Sequence, residues 1–440
     1  MSFISLEFLF IFLPLFIALY LLINNIFFKN CLLLLFSLLF YAWGEPKRIL
    51  ILIVLIILCY FFSYIISNKK NKYLLFLFII ILISPLLLYK YYLGSMPLGI
   101  SFYTFQLLSY LIDVYMGRCC FEKNLLNLSI YFSMFPVISS GPILRYIDVK
   151  DSINKREVSI NNVENGLARF IIGLSKKIIL ANNLANISDV AFGINVHIVQ
   201  ANMAWLGAIA YMLQIYYDFS GYSDMAIGIG QMLGFNFKEN FDEPYLSKSI
   251  TEFWRRWHIS LGSWFRDYIY IPLGGNRVSV VRWIINILAV WILTGIWHGS
   301  SLNYIAWGLY NGIILIVEKK YLKTYLATKN NMSHIYTLIL LFGGWIIFRI
   351  QNIIDIPYYI FALIDIRNLG TISELASQGV LFDILYVLIG IICIIPKFKH
   401  MVVKFVHNKY LYNIALILLL VISVIFIENG SYKAFLYFGY

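Results

Sequence analysis

The sequence predicts an all-α, polytopic membrane protein, and three observations carry that prediction. Of the 440 residues, 61% are hydrophobic and 18% aromatic. Only 13% are charged, against about 25% in a soluble domain. Apolar runs of bilayer length, about 20 residues, recur along the whole chain. None stands alone at the N-terminus ahead of a small-residue cleavage site, so the pattern is that of an integral membrane chain rather than a secreted one. The expectation is one membrane domain over residues 1–440, with about 11–13 transmembrane or re-entrant helices plus cytoplasmic interfacial helices.

Taken in order, spans are expected near 5–28, 31–44, 48–67, 73–91 and 97–116, then 203–217 with its continuation to 234. Further spans follow near 282–298, 301–318, 333–350, 380–396 and 410–427. A shorter apolar piece near 126–143 contains Pro136, Gly141 and Pro142 and reads as re-entrant or broken. Such breaks are tolerated at membrane depth only where protein or a water-filled cavity covers the backbone. No internal repeat is visible, which counts against the repeat-built transporter folds. Lysines choose the sides. NKKNK after the third span, EKKYLKTYLATK after the span at 301–318 and KFKHMVVKFVHNK before the last span belong in the cytoplasm by the positive-inside rule. Counting from these anchors puts both termini outside and residues 238–282 on the cytoplasmic face, provided 203–234 enters and leaves as a broken pair. The formal charge of +12 is spread over short loops. It reports orientation and lipid headgroups, with no nucleic-acid partner expected. The five Cys show no CxxC spacing, so neither a disulfide framework nor a metal site is expected.

One segment breaks the apolar pattern: EFWRRWHISLGSWFRDYIYIPLGGNR, from Glu252 to Arg277. Placed on one helix to Asp267, Trp254, His258, Leu261 and Phe265 share a face, and Glu252, Arg256, Ser260, Ser263 and Asp267 take the other. That is an amphipathic helix for the cytoplasmic interface, with its His turned inward. A second His, His298, ends the apolar run 283–297 in LTGIWHGSSLNYIAWG. Each alone reads equally as a packed interfacial His. Together they read as a junction in a tunnel, where a neutral imidazole takes a proton from a hydroxyl attacking a carbonyl. Asp218 and Asp224 lie inside an apolar run and need partners; Arg255 or Arg266 is expected to supply them. Asp113 reads as a helix-end polar contact. The basic cluster Arg255, Arg256, Arg266, Arg277 and Arg282 suits an anionic donor, or simply marks the cytoplasmic surface. The expected substrate contacts are Trp254, Arg255, Arg256, Trp257, Arg266, Asp267, Asp218 and Trp297. GIGQM is no phosphate loop and FSGYSD no nucleophile elbow.

These stretches carry a resemblance. FLFIFLPLFIALY, FYAWGEP, MPLGISFYTFQLLSYLIDVY, SGPILRY, YYDFSGYSDMAIGIGQMLGFNFKENFDEPY, ITEFWRRWHISLGSWFRDYIYIPLGGNR and LTGIWHGSSLNYIAWG stand in that order within residues 1–312. They resemble the membrane-bound O-acyltransferase family, and in particular its bacterial branch, which modifies alginate, peptidoglycan or teichoic acid. The resemblance implies a central tunnel, His298 at the family's near-invariant His and His258 at its second active-site position. It implies a donor from the cytoplasm and an acceptor outside. It further implies an O-acyltransferase, with acetyl the expected group. Acetyl-CoA or another acyl thioester would be the donor substrate, and no cofactor would be held permanently. The implied partners are an envelope polysaccharide such as peptidoglycan or an alginate-like exopolysaccharide, a periplasmic SGNH-type O-acetyltransferase, and membrane lipid, in a bacterial cytoplasmic (inner) membrane. Beyond about residue 320 only hydropathy and an aromatic C-terminus match.

That C-terminus, residues 429–440, is too apolar to lie free in water. It reads either as an aromatic belt at the outer interface or as a segment that folds back to the outer mouth of the tunnel. The second reading places the Tyr440 phenol near His298 as an acyl shuttle, since a phenol of pKa about 10 is a better nucleophile near neutral pH than a sugar hydroxyl. Two other readings stay open from the residues alone. One is a polysaccharide or solute export component without acyl chemistry, and the other a scaffold for a periplasmic transferase. Only an acyltransferase requires His298.

Overall fold

The computed structural model describes residues 1–328, 330–365, 367–370, 380–398, 408–430 and 435. Among these there is no strand, only one isolated bridge between Phe241 and Trp257. Six helices are long and apolar enough to cross a membrane. The N-terminal third comprises α1 (Leu13–Leu22), α2 (Ile26–Gly44), α3 (Ile49–Asn68), α4 (Lys72–Leu88), α5 (Ile100–Met116), α6 (Leu125–Ser133), α7 (Phe135–Ile138) and α8 (Tyr146–Asn154). The central part is α9 (Ile160–Ser175), α10 (Asn182–Gly193), α11 (Ala201–Met232), α12 (Ile250–Arg256) and α13 (Ile259–Phe265). Then come α14 (Val280–His298), α15 (Leu302–Val317), α16 (Lys323–Thr328), α17 (Asn330–Arg349), α18 (Asp355–Ile364), α19 (Val380–Ile394) and α20 (Lys409–Glu428).

Helix starts are written in the sequence. Asn25, Asn71, Asn124, Ser159, Ser249 and Asn408 each accept a hydrogen bond from a backbone N–H of the turn that follows, filling donors that a helix start leaves open. Pro85 sits inside α4, which opens into a π-turn over Tyr89–Leu93. A proline removes one rung of the hydrogen-bond ladder, and the helix rewinds beyond it. The piece at 126–143 is indeed broken: α6 ends at Ser133, Met134 leaves the helical region and α7 is a single turn. Gly99, which starts α5, has φ +68, and a Cβ there would lie 1.9 Å from the Ile138 carbonyl oxygen. No other residue fits that crossing.

Two expectations about the centre of the chain are overturned. Residues 203–234 are not a broken pair: α11 is one continuous helix of 32 residues, about 48 Å long. What lies beside it is the helical rod of α9, a π-turn over Lys176–Ala181 and α10, which packs antiparallel to α11. The acids on α11 find their partners on this rod and not on Arg255 or Arg266. Asp218 pairs with Lys177, both buried, and Asp224 is held by Arg169 at 2.9 Å and Lys176 at 2.6 Å. Glycines bring the two rods together. A Cβ on Gly173 would meet the Gly221 carbonyl oxygen at 2.5 Å, and one on Gly228 would meet that of Gly166 at 2.5 Å. Small residues let backbones approach to this distance.

The C-terminal tail enters the bundle at Phe435, which is 3% exposed. Its ring lies edge-on to Tyr222 at 4.8 Å, with the Lys177 ammonium 4.6 Å from its centre. Tyr440 lies outside the described residues.

Candidate active site

The charged segment begins with a capped helix start, in which the Glu252 carboxylate reaches back to the residue before the cap. Ser249 accepts from the Glu252 N–H at 3.0 Å, and the Glu252 carboxylate accepts from the Lys248 N–H at 2.9 Å. Glu318, buried at the end of α15, adds a second cap. Its carboxylate accepts from Ile250 N, Thr251 N and Thr251 Oγ1 at 2.7, 2.8 and 2.6 Å. A carboxylate there also meets the positive end of the helix dipole.

The helix does not run on to Asp267. It stops at Arg256, Trp257 is extended, and His258 takes a left-handed conformation with φ 45 before α13 begins. The face derived from one continuous helix is therefore wrong, although His258 is buried all the same, at 3% exposure. The break comes from residues 240–242, which run alongside like a strand. Asp242 N donates to Arg256 O at 2.9 Å, Ile259 N donates to Asn240 O at 3.0 Å, and Phe241 bridges Trp257. A non-glycine residue in this region costs of order 1–3 kcal/mol and persists only when its surroundings over-determine it. Asn240, fully buried, supplies much of that. Its Oδ1 accepts from the Ser260 N–H at 3.1 Å and the Ser260 hydroxyl at 2.9 Å, and lies 3.2 Å from His258 Nδ1. Phe219 packs edge-on to the imidazole at 4.5 Å. Burial pushes the His258 pKa down to about 3, so the ring is neutral.

His298 is the last residue of α14, and GIWHG explains how it is held. A Cβ on Gly295 would meet the Tyr304 carbonyl oxygen at 2.4 Å, and one on Gly299 would meet the Tyr304 ring at 2.2 Å. The two glycines thus let the start of α15 close over the His. From the π-turn after α4, the Tyr91 hydroxyl donates to the Ile296 carbonyl at 2.9 Å and the Lys90 ammonium donates to that of Trp297. These bonds fill carbonyls the helix end leaves open. The imidazole is boxed by Trp307 and Phe348, both near-perpendicular at 5.1 and 4.9 Å, and by Trp297 at 4.6 Å.

Both histidines line one cavity of about 1170 Å³. Its other end carries exposed Arg255, Arg266, Lys319 and Lys323, with Lys248 beside them. Between the cations and the histidines the wall is aromatic: Trp254, Trp257, Trp291, Trp307, Trp345 and Phe348. A molecule with an anionic head and a slender uncharged arm matches that division.

Of the expected site residues, the cavity thus gathers His258, His298, Trp254, Arg255, Trp257 and Arg266. The others lie outside its lining. Arg256 binds Glu252 at 2.9 Å and reaches Asp242. Asp267 was placed on the water face, yet it is only 9% exposed and is held by Arg145 at 2.6 Å and Arg266 at 2.7 Å. Asp218 belongs to the α9–α11 interface. Trp297 backs the histidines from the α5 side, against Phe102 and Phe105. Asp113, read as a helix-end contact, accepts from the Tyr268 hydroxyl at 2.7 Å and pairs with Arg118, tying the charged segment to α5. Of the proposed basic cluster, Arg256, Arg277 and Arg282 do not line the cavity, whereas Lys248, Lys319 and Lys323 do. The lysine run after 317 was readable as cationic, but only the turn at the end of α15 brings it to the cavity. Asn240 gave no signal in NFKENF, because nothing local marks an Asn as buried.

The sequence model of the membrane-bound O-acyltransferase family matches residues 122–361. The chain is 40% identical over 369 residues to the probable alginate O-acetylase AlgI of Pseudomonas fluorescens, covering 80% of this chain and 73% of that protein. It is 30% identical over 404 residues to the peptidoglycan O-acetyltransferase of Helicobacter pylori, covering 78% and 75%. To the teichoic acid D-alanyltransferase of Bacillus subtilis it is 33% identical over 233 residues, covering 50% and 58%. Against other probable alginate O-acetylases the chain spans about half of their length, for example 49% and 56%.

Proposed function

The chain belongs to the membrane-bound O-acyltransferase family, and on that premise we propose that it is an O-acetyltransferase serving a cell-envelope polysaccharide, alginate-like or peptidoglycan. The observation that carries this reading is the pairing of two buried histidines with a cationic entrance in one aromatic-walled cavity. The donor is an acetyl thioester with a phosphate-bearing head, acetyl-CoA or a carrier-bound equivalent, whose phosphates sit among Arg255, Arg266, Lys319 and Lys323. Its acetyl-bearing arm reaches between the tryptophans to His258 and His298.

The reaction balances without any other reactant. His298, neutral, takes the proton from the acceptor hydroxyl as its oxygen attacks the thioester carbonyl carbon. The new C–O bond forms, the C–S bond breaks, and the departing thiolate takes the proton back from His298. The cationic end faces the cytoplasm of a bacterial inner membrane, both termini face outward, and an SGNH-type transferase completes delivery to the polymer. The first acceptor is the Tyr440 phenol. Burial of Phe435 beside Tyr222 supports a tail that returns into the protein rather than floating at its surface.

The test is acetyl transfer from radiolabelled acetyl-CoA in proteoliposomes. His298→Ala is expected to insert normally and to lose about 10²–10⁴-fold in turnover, the contribution of a positioned base. Without the downstream partner, the C-terminal peptide of the wild type is expected to carry an acetyl ester on Tyr440, and Tyr440→Phe to stop polymer acetylation. Wild-type turnover in His298→Ala rejects the acyltransfer reading. Full polymer acetylation in Tyr440→Phe rejects the shuttle alone.

A further inference from the structure

We infer that Asn240 is a positioning residue that fixes His258 as the Nδ1–H tautomer, so that Nε2 is the acceptor nitrogen of that ring. The amide orientation is set by bonds that do not involve the imidazole. The Ser260 backbone N–H, which can only donate, lies 3.1 Å from Asn240 Oδ1, so that atom is the carbonyl oxygen and not the NH₂. The Asn240 NH₂ in turn donates to Ser223 Oγ at 3.2 Å. The atom facing His258 Nδ1 at 3.2 Å is therefore an acceptor, and Nδ1 must bring the hydrogen. Ser260 Oγ, 3.4 Å from the same nitrogen, accepts from the Ile143 N–H at 3.0 Å and gives its own hydrogen to Asn240 Oδ1, so it too has only a lone pair to present to the ring. Two acceptors on one side leave one tautomer.

The backbone supports the same end. Asn240 O accepts from Ile259 N at 3.0 Å, one residue past the left-handed His258. One buried residue thus holds the strained main chain and orients the ring. A neutral imidazole with its hydrogen on Nδ1 presents a lone pair at Nε2. It cannot stabilise an oxyanion by donating from that atom; it can only accept, from a hydroxyl, a thiol or an amide N–H. The proton that the departing thiolate needs must then come from His298, as in the step above.

The activity arm of the test rests on the acetyl-transfer reading; the spectroscopic arm does not. Full-length protein in lipid, labelled with ¹⁵N-histidine, is compared with His258→Gln to assign the His258 signals. The wild type is expected to show a protonated Nδ1 and an unprotonated Nε2 at His258. Asn240→Asp keeps an acceptor and is expected to keep both the tautomer and, within several-fold, the turnover. Asn240→Leu is expected to show mixed tautomers and to lose about 10²-fold in kcat, the cost of a misplaced reacting group, with KM for acetyl-CoA little changed. A wild-type ring protonated at Nε2 overturns the assignment, whether or not any variant inserts. Wild-type kcat in Asn240→Leu, or a change in KM alone, overturns the positioning role. If wild-type protein transfers no acetyl while the tautomer is as assigned, the proposed function fails and the assignment stands.

Discussion

At the scale of single residues, the histidines carry opposite lessons about legibility. His298 was readable, because an ionisable group in an apolar run is costly and therefore stands out, whereas His258 was singled out from a continuous helical face that the structure breaks at Trp257. What holds them was not readable. Asn240 is one Asn in a loop rich in polar residues, and only the pairing of 240–242 with the start of α13 shows that it is buried. The left-handed backbone at His258 was also hidden, since an apolar-face pattern continues smoothly through RRWHISL and masks the break. Burial of His258 has a measurable consequence. Its pKa falls from 6.5 to about 3 on folding. A depressed folded-state pKa stabilises the protein above the unfolded value and loses that contribution as pH falls, because the unfolded chain takes up a proton that the folded one refuses. The window is thus from 6.5 downward towards about 3. One pH unit below 6.5 the penalty is about 1.4 kcal/mol. Thermal unfolding in detergent is therefore expected to drop more steeply between pH 7 and 5 for the wild type than for His258→Gln, which has no group to titrate there. Parallel curves contradict the buried, neutral ring.

At the scale of elements, hydropathy located the six helices that are long and apolar enough to cross a membrane but passed over α9 and α10. The reason is physical. Arg169, Lys176 and Lys177 lower the hydropathy of that rod, yet each of them meets an acid on α11. A window that scores residues singly counts as polar what the structure neutralises in pairs. The broken-pair reading of 203–234 failed for the same reason, since it looked for a second crossing inside α11. The glycine contacts between these rods give a direct test. Gly173→Leu is expected to abolish correctly folded protein, because its Cβ would lie 2.5 Å from the Gly221 carbonyl oxygen and neither backbone has room to move. Gly193→Ala, with nothing within 4 Å of the added carbon, is expected to express and work normally. Monodispersity on size exclusion compares the two. Glu318 offers a second test at this scale. Glu318→Ala leaves Ile250 N, Thr251 N and Thr251 Oγ1 without their acceptor, and each buried donor so abandoned costs about 1–3 kcal/mol. Because α12 leads directly to His258, turnover is expected to fall together with thermal stability. Glu318→Gln keeps one carbonyl acceptor and is expected to fall in between. Activity unchanged in Glu318→Ala would separate this cap from the site.

At the scale of the whole molecule, the fold converts three separate features of the chain into one passage. The segment of α12, α13 and the turn that follows contributes Arg255, His258 and Arg266, α14 contributes His298, and the end of α15 with the start of α16 contributes Lys319 and Lys323. The far wall is α17, with Trp345 and Phe348, from a stretch where the sequence offered only hydropathy. If the passage is the donor route, its two halves should fail differently. Charge reversal at the entrance, Lys319→Glu with Lys323→Glu, should raise KM for acetyl-CoA about tenfold and more at low salt, while kcat holds, since exposed charges steer and retain an anion and are screened by ions. An obstruction beyond the entrance should instead stop turnover at any donor concentration. Gly262 provides the place. It lines the cavity on α13, it is exposed to that space, and a Cβ there would be in ordinary contact with the Trp254 carbonyl at 3.5 Å. Gly262→Ala should therefore be tolerated, and the gain in helix propensity, up to about 1 kcal/mol, should favour the folded state. Gly262→Phe puts a ring across the space between the cations and the histidines with no change to His258, His298 or their supports. It is expected to insert with normal thermal stability and to transfer no acetyl group, and raising acetyl-CoA is not expected to restore it. Normal turnover in Gly262→Phe would mean that the donor reaches the histidines by another path, and the cationic end would then be an orientation signal and nothing more.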